Sequence, residues 1–173
     1  MHNVNIGPLT VSNDAPLLLI AGPCQLESID HAQMIAGQMA EVCARHGAQF
    51  VFKGSYDKAN RTSLNGVRGL GMDEGLKVMQ SVKDSIGCPV LTDIHAPEHC
   101  ATVAAVCDVM QIPAFLCRQT DLLLAAGETG KPINASGHLG LIRWCRGDHR
   151  IKHSFRRHSL HLDQPIDRLA RPL

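Results

Sequence analysis

The feature that most constrains this chain is a rhythm: short apolar runs alternate with amphipathic stretches about every thirty residues, the spacing of consecutive βαβ units. Leu17–Ala21 is a compact apolar run ending in Gly-Pro, a strand-end signal. A helix is expected next, with Ser28 as N-cap and Ala32, Ile35, Ala36, Met39, Val42 and Cys43 on one face, ended by Arg45-His46-Gly47. "AQFVFKG" reads as a strand. Asp73 is the expected cap of a second helix with Leu76, Met79, Val82 and Ile86 inward and Gly87 as its stop. "CPVLTDI" is a third strand, and Pro97 suits the first turn of a helix running through "ATVAAVC". "DVMQIPA" is a fourth strand, "TDLLLAAGETG" a short helix, and "KPIN" the start of a fifth strand. A strand, a Gly-Pro turn and a second strand precede all of this in "VNIGPLTV".

Such alternation predicts an α/β fold with parallel strands and right-handed crossovers, closed either as an open doubly wound sheet or as a (β/α)8 barrel. In both, functional groups gather at the C-terminal ends of the strands. The polar clusters fall there: "GPCQLES", "KGSYDKANRTS", "TDIH" and "QIPAFLCRQ".

The rhythm stops after Asn134. Residues 1–134 hold nine Lys/Arg against thirteen Asp/Glu, whereas 135–173 hold eight against three and half of all the histidines. The first segment is therefore expected to be one domain portion, and 135–173 an irregular tail without a clear strand. Its histidines have no Cys or carboxylate partners at metal-binding spacing, so no zinc site is expected there.

The net charge of +1 gives no argument for nucleic acid or an acidic membrane surface. No apolar run is long enough to span a bilayer, and the N-terminus lacks a secretory pattern. Seven scattered cysteines without a CxxC pair suit a reducing compartment, so a cytoplasmic protein is expected.

Lys53, Lys58 and Arg61 follow the second strand of the βαβ series and could hold a phosphate or phosphate-carboxylate ligand through charge-assisted bonds. A solvated basic loop would look the same. Asp93 and His95 close the third strand and could bind hydroxyls or move protons, although Asp93 could equally cap the next helix. Cys24 closes the first strand, as a metal-ligating thiolate or as a small buried residue. Gln111 and Arg118 flank the fourth. "GLGMDEG" follows no strand and reads as a turn and cap rather than a phosphate loop.

In this order and at these spacings, "AGPCQLES", "FKGSYDKANRTS", "TDIHAPE" and "QIPAFLCRQTDLL" resemble the 3-deoxy-D-manno-octulosonate 8-phosphate synthases over residues 3–134. The related 3-deoxy-arabino-heptulosonate 7-phosphate synthases, which use erythrose 4-phosphate, share the fold and chemistry; "KANRTS" fits the octulosonate enzymes better. The resemblance implies a (β/α)8 TIM barrel, usually a homotetramer, that condenses phosphoenolpyruvate with arabinose 5-phosphate for lipopolysaccharide synthesis. It implies that Lys53 and Lys58 contact phosphoenolpyruvate, with Ser55, Gln111 and Ala114 near it. Asn60, Arg61 and Thr62 would contact the sugar phosphate, and Asp93 would lie near the sugar hydroxyls, with Lys58 and Asp93 in catalytic roles. Cys24 matches the position that marks the metal-dependent class, so a divalent metal is the implied cofactor.

The resemblance ends where the rhythm does. After "KPIN" the family continues with a hydrophobic residue, two lysines, Gly or Pro, then Gln-Phe; here Ala135, Ser136 and Gly137 follow. Ser136 stands where a phosphate-binding lysine is expected. Strands six to eight, a substrate-binding arginine and the His, Glu and Asp that complete the metal site are not found. Closed barrels run to about 250 residues. The expectation is therefore the first half of a barrel, five strands preceded by a hairpin, with a tail from a frameshift or rearranged gene. Such a chain is expected to be inactive alone, to hold no metal stably, and to self-associate or aggregate through open strand edges.

Overall fold

The computed structural model describes residues 3–58, 68–136 and 142–145. An antiparallel hairpin opens the chain, β1 (Val4–Ile6) with β2 (Leu9–Val11). Then strand and helix alternate: β3 (Leu18–Ala21), α1 (Ile29–Arg45), β4 (Gln49–Lys53), α2 (Met72–Ile86), β5 (Val90–Asp93), α3 (His99–Val106), β6 (Val109–Ile112), α4 (Thr120–Glu128) and β7 (Ile133–Ser136). The last described strand is β8 (Ile142–Cys145). The main sheet runs β3-β4-β5-β6-β7-β8; its first five strands are parallel and β8 is antiparallel to β7. Five parallel strands in sequence order, each joined to the next across a helical segment, form the front half of a (β/α)8 barrel.

The caps explain where the helices begin. Ser28 is the N-cap of α1, as its hydroxyl accepts from the His31 N–H at 3.2 Å, and Asp30 favours the positive end of the helix dipole. The expected Asp73 cap of α2 is corrected: the N-cap is Gly71, and Asp73 lies in the first turn beside Glu74. Gly71 has φ +81°, which a side chain would disfavour, and it turns the chain into the helix without a side-chain cap. Pro97 lies two residues before α3 rather than inside it; its carbonyl accepts from the Cys100 N–H.

The two faces of the sheet have different company. Phe50, Phe52, Val90, Met110, Ile112 and Ile133 are buried against the helices, beside Ala36, Met79, Val82, Val103 and Ala126. On the other face Val51, Leu91 and Val109 are wholly buried with Ile6 of the hairpin, flanked by Val4, Leu9, Val11, Leu18 and Ile20. The hairpin thus covers the inner face toward the beginnings of the strands, and burying Ile6 there contributes about 1.5–3 kcal/mol. The inner face beyond this apolar layer is left to polar side chains.

The expectation of no strand beyond Asn134 is corrected in part. β7 continues to Ser136, and β8 pairs with it in the register Asn134↔Trp144. Four residues are too few to show a period, and β7 offers a free edge to which Ile142–Cys145 can bond through backbone alone. The rest of the tail, with its histidines, lies outside the described residues. No helix among the described residues is long and apolar enough to cross a membrane.

Candidate active site at the strand ends

The inner face changes character one layer above Val51, Leu91 and Val109. Two residues on, strand alternation brings Lys53, Asp93 and Gln111 to the same face. Asp93 pairs in register with Gln111, and Gln111 with Asn134, so one polar row crosses β5, β6 and β7. Asn134 is placed there by its neighbours: Ile133 and Ala135 both pack toward the helices.

The β4 end is held from both sides. A Cβ at Gly22 would sit 1.9 Å from the Lys53 carbonyl oxygen, so only glycine lets the loop after β3 cross there. Farther along that loop, the Leu26 N–H donates to the Ser55 carbonyl at 2.9 Å. Lys53 Nζ lies 3.3 Å from Ser55 Oγ and donates to it. Ser55 is buried, and its hydroxyl helps hold the Asp93 carboxylate ionised.

His95 Nε2 and Asp93 Oδ2 are 2.8 Å apart. Burial alone would push the Asp93 carboxyl up, but hydrogen bonds from His95 and Ser55 and the charge of Lys53 outweigh it and hold Asp93 below its ordinary value. The bond to Asp93 raises the His95 imidazole against the opposing effect of burial. Tyr56 joins this cluster from the β4 loop. Its hydroxyl is 2.9 Å from His99 Nδ1, and its ring meets those of His95 and His99 edge-on at 5.8 and 6.1 Å. Burial, then the charges of Asp93 and Asp57, raise the Tyr56 phenol, so it stays neutral at physiological pH.

Lys58 is exposed, and its N–H donates to the Arg68 carbonyl at 2.6 Å. Asp57 and Arg68 make a two-pronged ion pair at 2.9 and 2.5 Å. These contacts join the two stems flanking residues 59–67. Asn60, Arg61 and Thr62, expected at the sugar phosphate, fall in that segment and lie outside the described residues. Ala114 opens a 3-10 turn just past β6 and is half-buried. Gln111 lies within β6 rather than beside it, and Arg118 is exposed.

Cys24 is exposed in the loop after β3, not buried in the strand. Among the described residues no group of three or more His, Cys, Asp or Glu side chains is placed to hold a metal ion. One thiolate supplies fewer ligands than a catalytic metal needs, so the described residues do not fit the implied divalent ion and no step below runs through it.

The arrangement joins Lys53, Ser55, Asp93 and His95 in one chain of contacts, with Gln111 on the adjoining strand. Sequence reasoning gave His95, with Asp93, the binding of hydroxyls or the movement of protons, and it gave no role to Tyr56, His99 or Asn134. The two-residue spacing of Asp93 and His95 was a usable signal, since i and i+2 in extended chain share a side. An ammonium group beside a buried carboxylate and imidazole can bind a small anion and move a proton next to it.

Comparison with known proteins fits this layout. The model of the DAHP synthetase I family matches residues 3–136. The chain belongs to this family. Among curated relatives, the 2-dehydro-3-deoxyphosphooctonate aldolase of Rickettsia bellii (strain OSU 85-389) is 48% identical over 153 residues, covering 88% of this chain and 56% of that protein. The proteins of the same name from Brucella ovis and Brucella abortus (strain S19) are each 54% identical over 141 residues, covering 82% of this chain and 51% of theirs. The chain spans about half the length of the curated relatives it matches. These names agree with the resemblance carried by the four sequence motifs, and the family match places β3 to β7 and their strand-end residues within the DAHP synthetase I domain.

Proposed function

We propose that these strand ends form one side of a site that condenses phosphoenolpyruvate with arabinose 5-phosphate and water. The products would be 3-deoxy-D-manno-octulosonate 8-phosphate, a lipopolysaccharide precursor, and inorganic phosphate. In this reaction C3 of the enol bonds to the sugar aldehyde carbon, water oxygen adds at C2, and phosphate leaves from C2. Two anions must approach one another, and fixed cations offset their repulsion. Lys53 and Lys58 take the anionic groups of phosphoenolpyruvate, beside Ser55, Gln111 and Ala114. Asp93 faces the sugar hydroxyls or the aldehyde oxygen as it gains a proton. Asn60, Arg61 and Thr62 take the sugar phosphate. The observation that carries the reading is the grouping at adjoining strand ends of Lys53, bonded to Ser55, and Asp93, bonded to His95, with the Lys53 charge helping to hold Asp93 ionised.

Titration calorimetry with phosphoenolpyruvate, alongside phosphate release with each sugar phosphate, tests it. Phosphoenolpyruvate binding that depends on Lys53 supports the reading, and its absence overturns it. The family also suggests erythrose 4-phosphate as the acceptor, and phosphate release with that sugar in place of arabinose 5-phosphate would favour the heptulosonate reaction. Binding without release for either sugar would identify a half-site, the non-catalytic alternative. Self-association belongs to the same proposal, because β3 has a strand neighbour on one side only among the described residues; sedimentation velocity measures it.

A further inference from the structure

The polar row on the inner face ends in a residue to which no role has been given. Asn134 is wholly buried, and among the described residues neither its Oδ1 nor its Nδ2 has a hydrogen-bond partner. Its register neighbour Gln111 has an unpartnered Oε1, and Asp93 next to that has an unpartnered Oδ1. Buried polar groups are nearly always satisfied, and each exception costs stability. Of the eight such side-chain atoms among the described residues, four belong to three residues that follow one another across β5, β6 and β7 at one level of the sheet. The helix-side residues on either side of Asn134, Ile133 and Ala135, are packed in an apolar core, so a leucine would serve a purely structural role at 134 better than an amide does. A row of one carboxylate and two amides with free acceptors and donors is complementary to a small, oxygen-rich, partly protonated ligand.

We propose that Asn134 is a further substrate-binding residue of this site, its amide meeting oxygens of the small anionic substrate alongside Gln111. The inference rests on the phosphoenolpyruvate reading above. Nδ2 donates to a carboxylate or phosphate oxygen, while Oδ1 accepts from water or a hydroxyl. The amide gives up no hydrogen bond with a described residue in doing so.

The test uses the full chain with Asn134→Leu, which has the same branching and number of heavy atoms without polar groups, and Asn134→Asp, which adds a negative charge. Phosphoenolpyruvate binding is measured by calorimetry and the ligand-free midpoint by thermal melting. Asn134→Leu is expected to weaken binding roughly ten- to hundredfold while raising the ligand-free midpoint, because two orphaned atoms are removed. Asn134→Asp is expected to weaken binding further by repulsion and keeps the test open if the leucine variant does not fold. Wild-type binding retained in both variants overturns the inference, as does a lowered midpoint in a folded Asn134→Leu. A wild type that binds no phosphoenolpyruvate overturns the underlying reading instead, so the two failures are distinguishable.

Discussion

Nε2 of His95 lies 2.8 Å from Oδ2 of Asp93, and the two side chains are only 16% and 13% exposed. The pair distinguishes the two carboxylate oxygens, since Oδ2 is engaged and Oδ1 has no partner among the described residues. It also makes stability depend on pH from both sides. Asp93 is held below its ordinary value, so its contribution is present above the unfolded carboxyl pKa of ~3.9 and is lost as pH falls through the folded value. His95 is raised, so its contribution is complete below the unfolded imidazole pKa of ~6.5 and is lost as pH rises through the folded value. Between those limits both contributions are present. His95→Gln is expected to lose about 1–2 kcal/mol in that window and less above it. Urea denaturation of both proteins from about pH 4 to pH 9 checks this; a gap that stays constant through neutral pH would refute the coupling.

Lys53 connects ligand binding to the same pair. Its ammonium group donates to Ser55 and helps hold Asp93 ionised. Lys53→Ala is expected to weaken phosphoenolpyruvate binding by roughly ten- to hundredfold, the loss of one charge-assisted hydrogen bond. It should also move the acid-side loss of stability to higher pH, because Asp93 is then less strongly held below its ordinary value. Lys58→Ala should weaken binding without that second effect, since Lys58 is exposed and is not among the groups acting on Asp93. Calorimetry paired with acid titration of the folded state separates the two lysines.

The strands and helices were legible because each shows one face to the core. Ala32, Ala36 and Cys43 of α1 and Leu76, Met79 and Val82 of α2 are buried as their spacing requires. The start of α2 was misread because Gly71 and Asp73 both signal a helix entry, and only backbone geometry chooses between them. β8 was not legible, because its pairing depends on an edge that β7 offers rather than on any period of its own. In the candidate site, Lys53 and Asp93 could be found as charged residues at strand ends, whereas Ser55 came only from the family resemblance. Tyr56 and His99 could not: 43 positions separate them, and their contact depends on how α3 packs beside the β4 loop. In the sequence Asn134 marked only where the rhythm stops; the packing of Ile133 and Ala135 toward the helices shows which face it occupies.

Two helical glycines should respond in opposite directions to the same substitution. A Cβ at Gly75 of α2 would lie 2.4 Å from Cβ of Tyr56, whereas one at Gly127 of α4 would meet nothing within 4 Å. Alanine gains up to about 1 kcal/mol over glycine in a helix interior. Gly127→Ala should therefore be stabilising by up to that amount, near the helix end at the lower part of the range. Gly75→Ala should be destabilising by about 1–3 kcal/mol, the overpacking cost exceeding the propensity gain. It should also disturb Tyr56, and with it the 2.9 Å contact to His99. Thermal melting of both variants gives the signs; a stabilised Gly75→Ala would mean that the β4 loop can retreat from α2.

Asp108 ties three elements together ahead of β6. Its Oδ2 accepts from the Val90 N–H at 2.9 Å, and its Oδ1 from Lys83 Nζ at 3.1 Å. Lys83 also donates to the Val106 carbonyl at 2.9 Å, so the Asp108–Lys83 pair joins the end of α2, the start of β5 and the end of α3. The side chain is 14% exposed, so little water can replace it as acceptor for Val90. Asp108→Ala is expected to cost about 1–3 kcal/mol, because the Val90 N–H loses its acceptor and the Lys83 ammonium keeps only the Val106 carbonyl. Asp108→Asn keeps an acceptor for one of them and should cost less. Were Lys83 the main contributor, Lys83→Met would match the loss in Asp108→Ala; the geometry predicts a smaller effect, since Val90 keeps its acceptor. Denaturant midpoints of the three variants rank these contributions, and equal losses in Asp108→Ala and Lys83→Met would show that the ion pair rather than the backbone bond holds this corner.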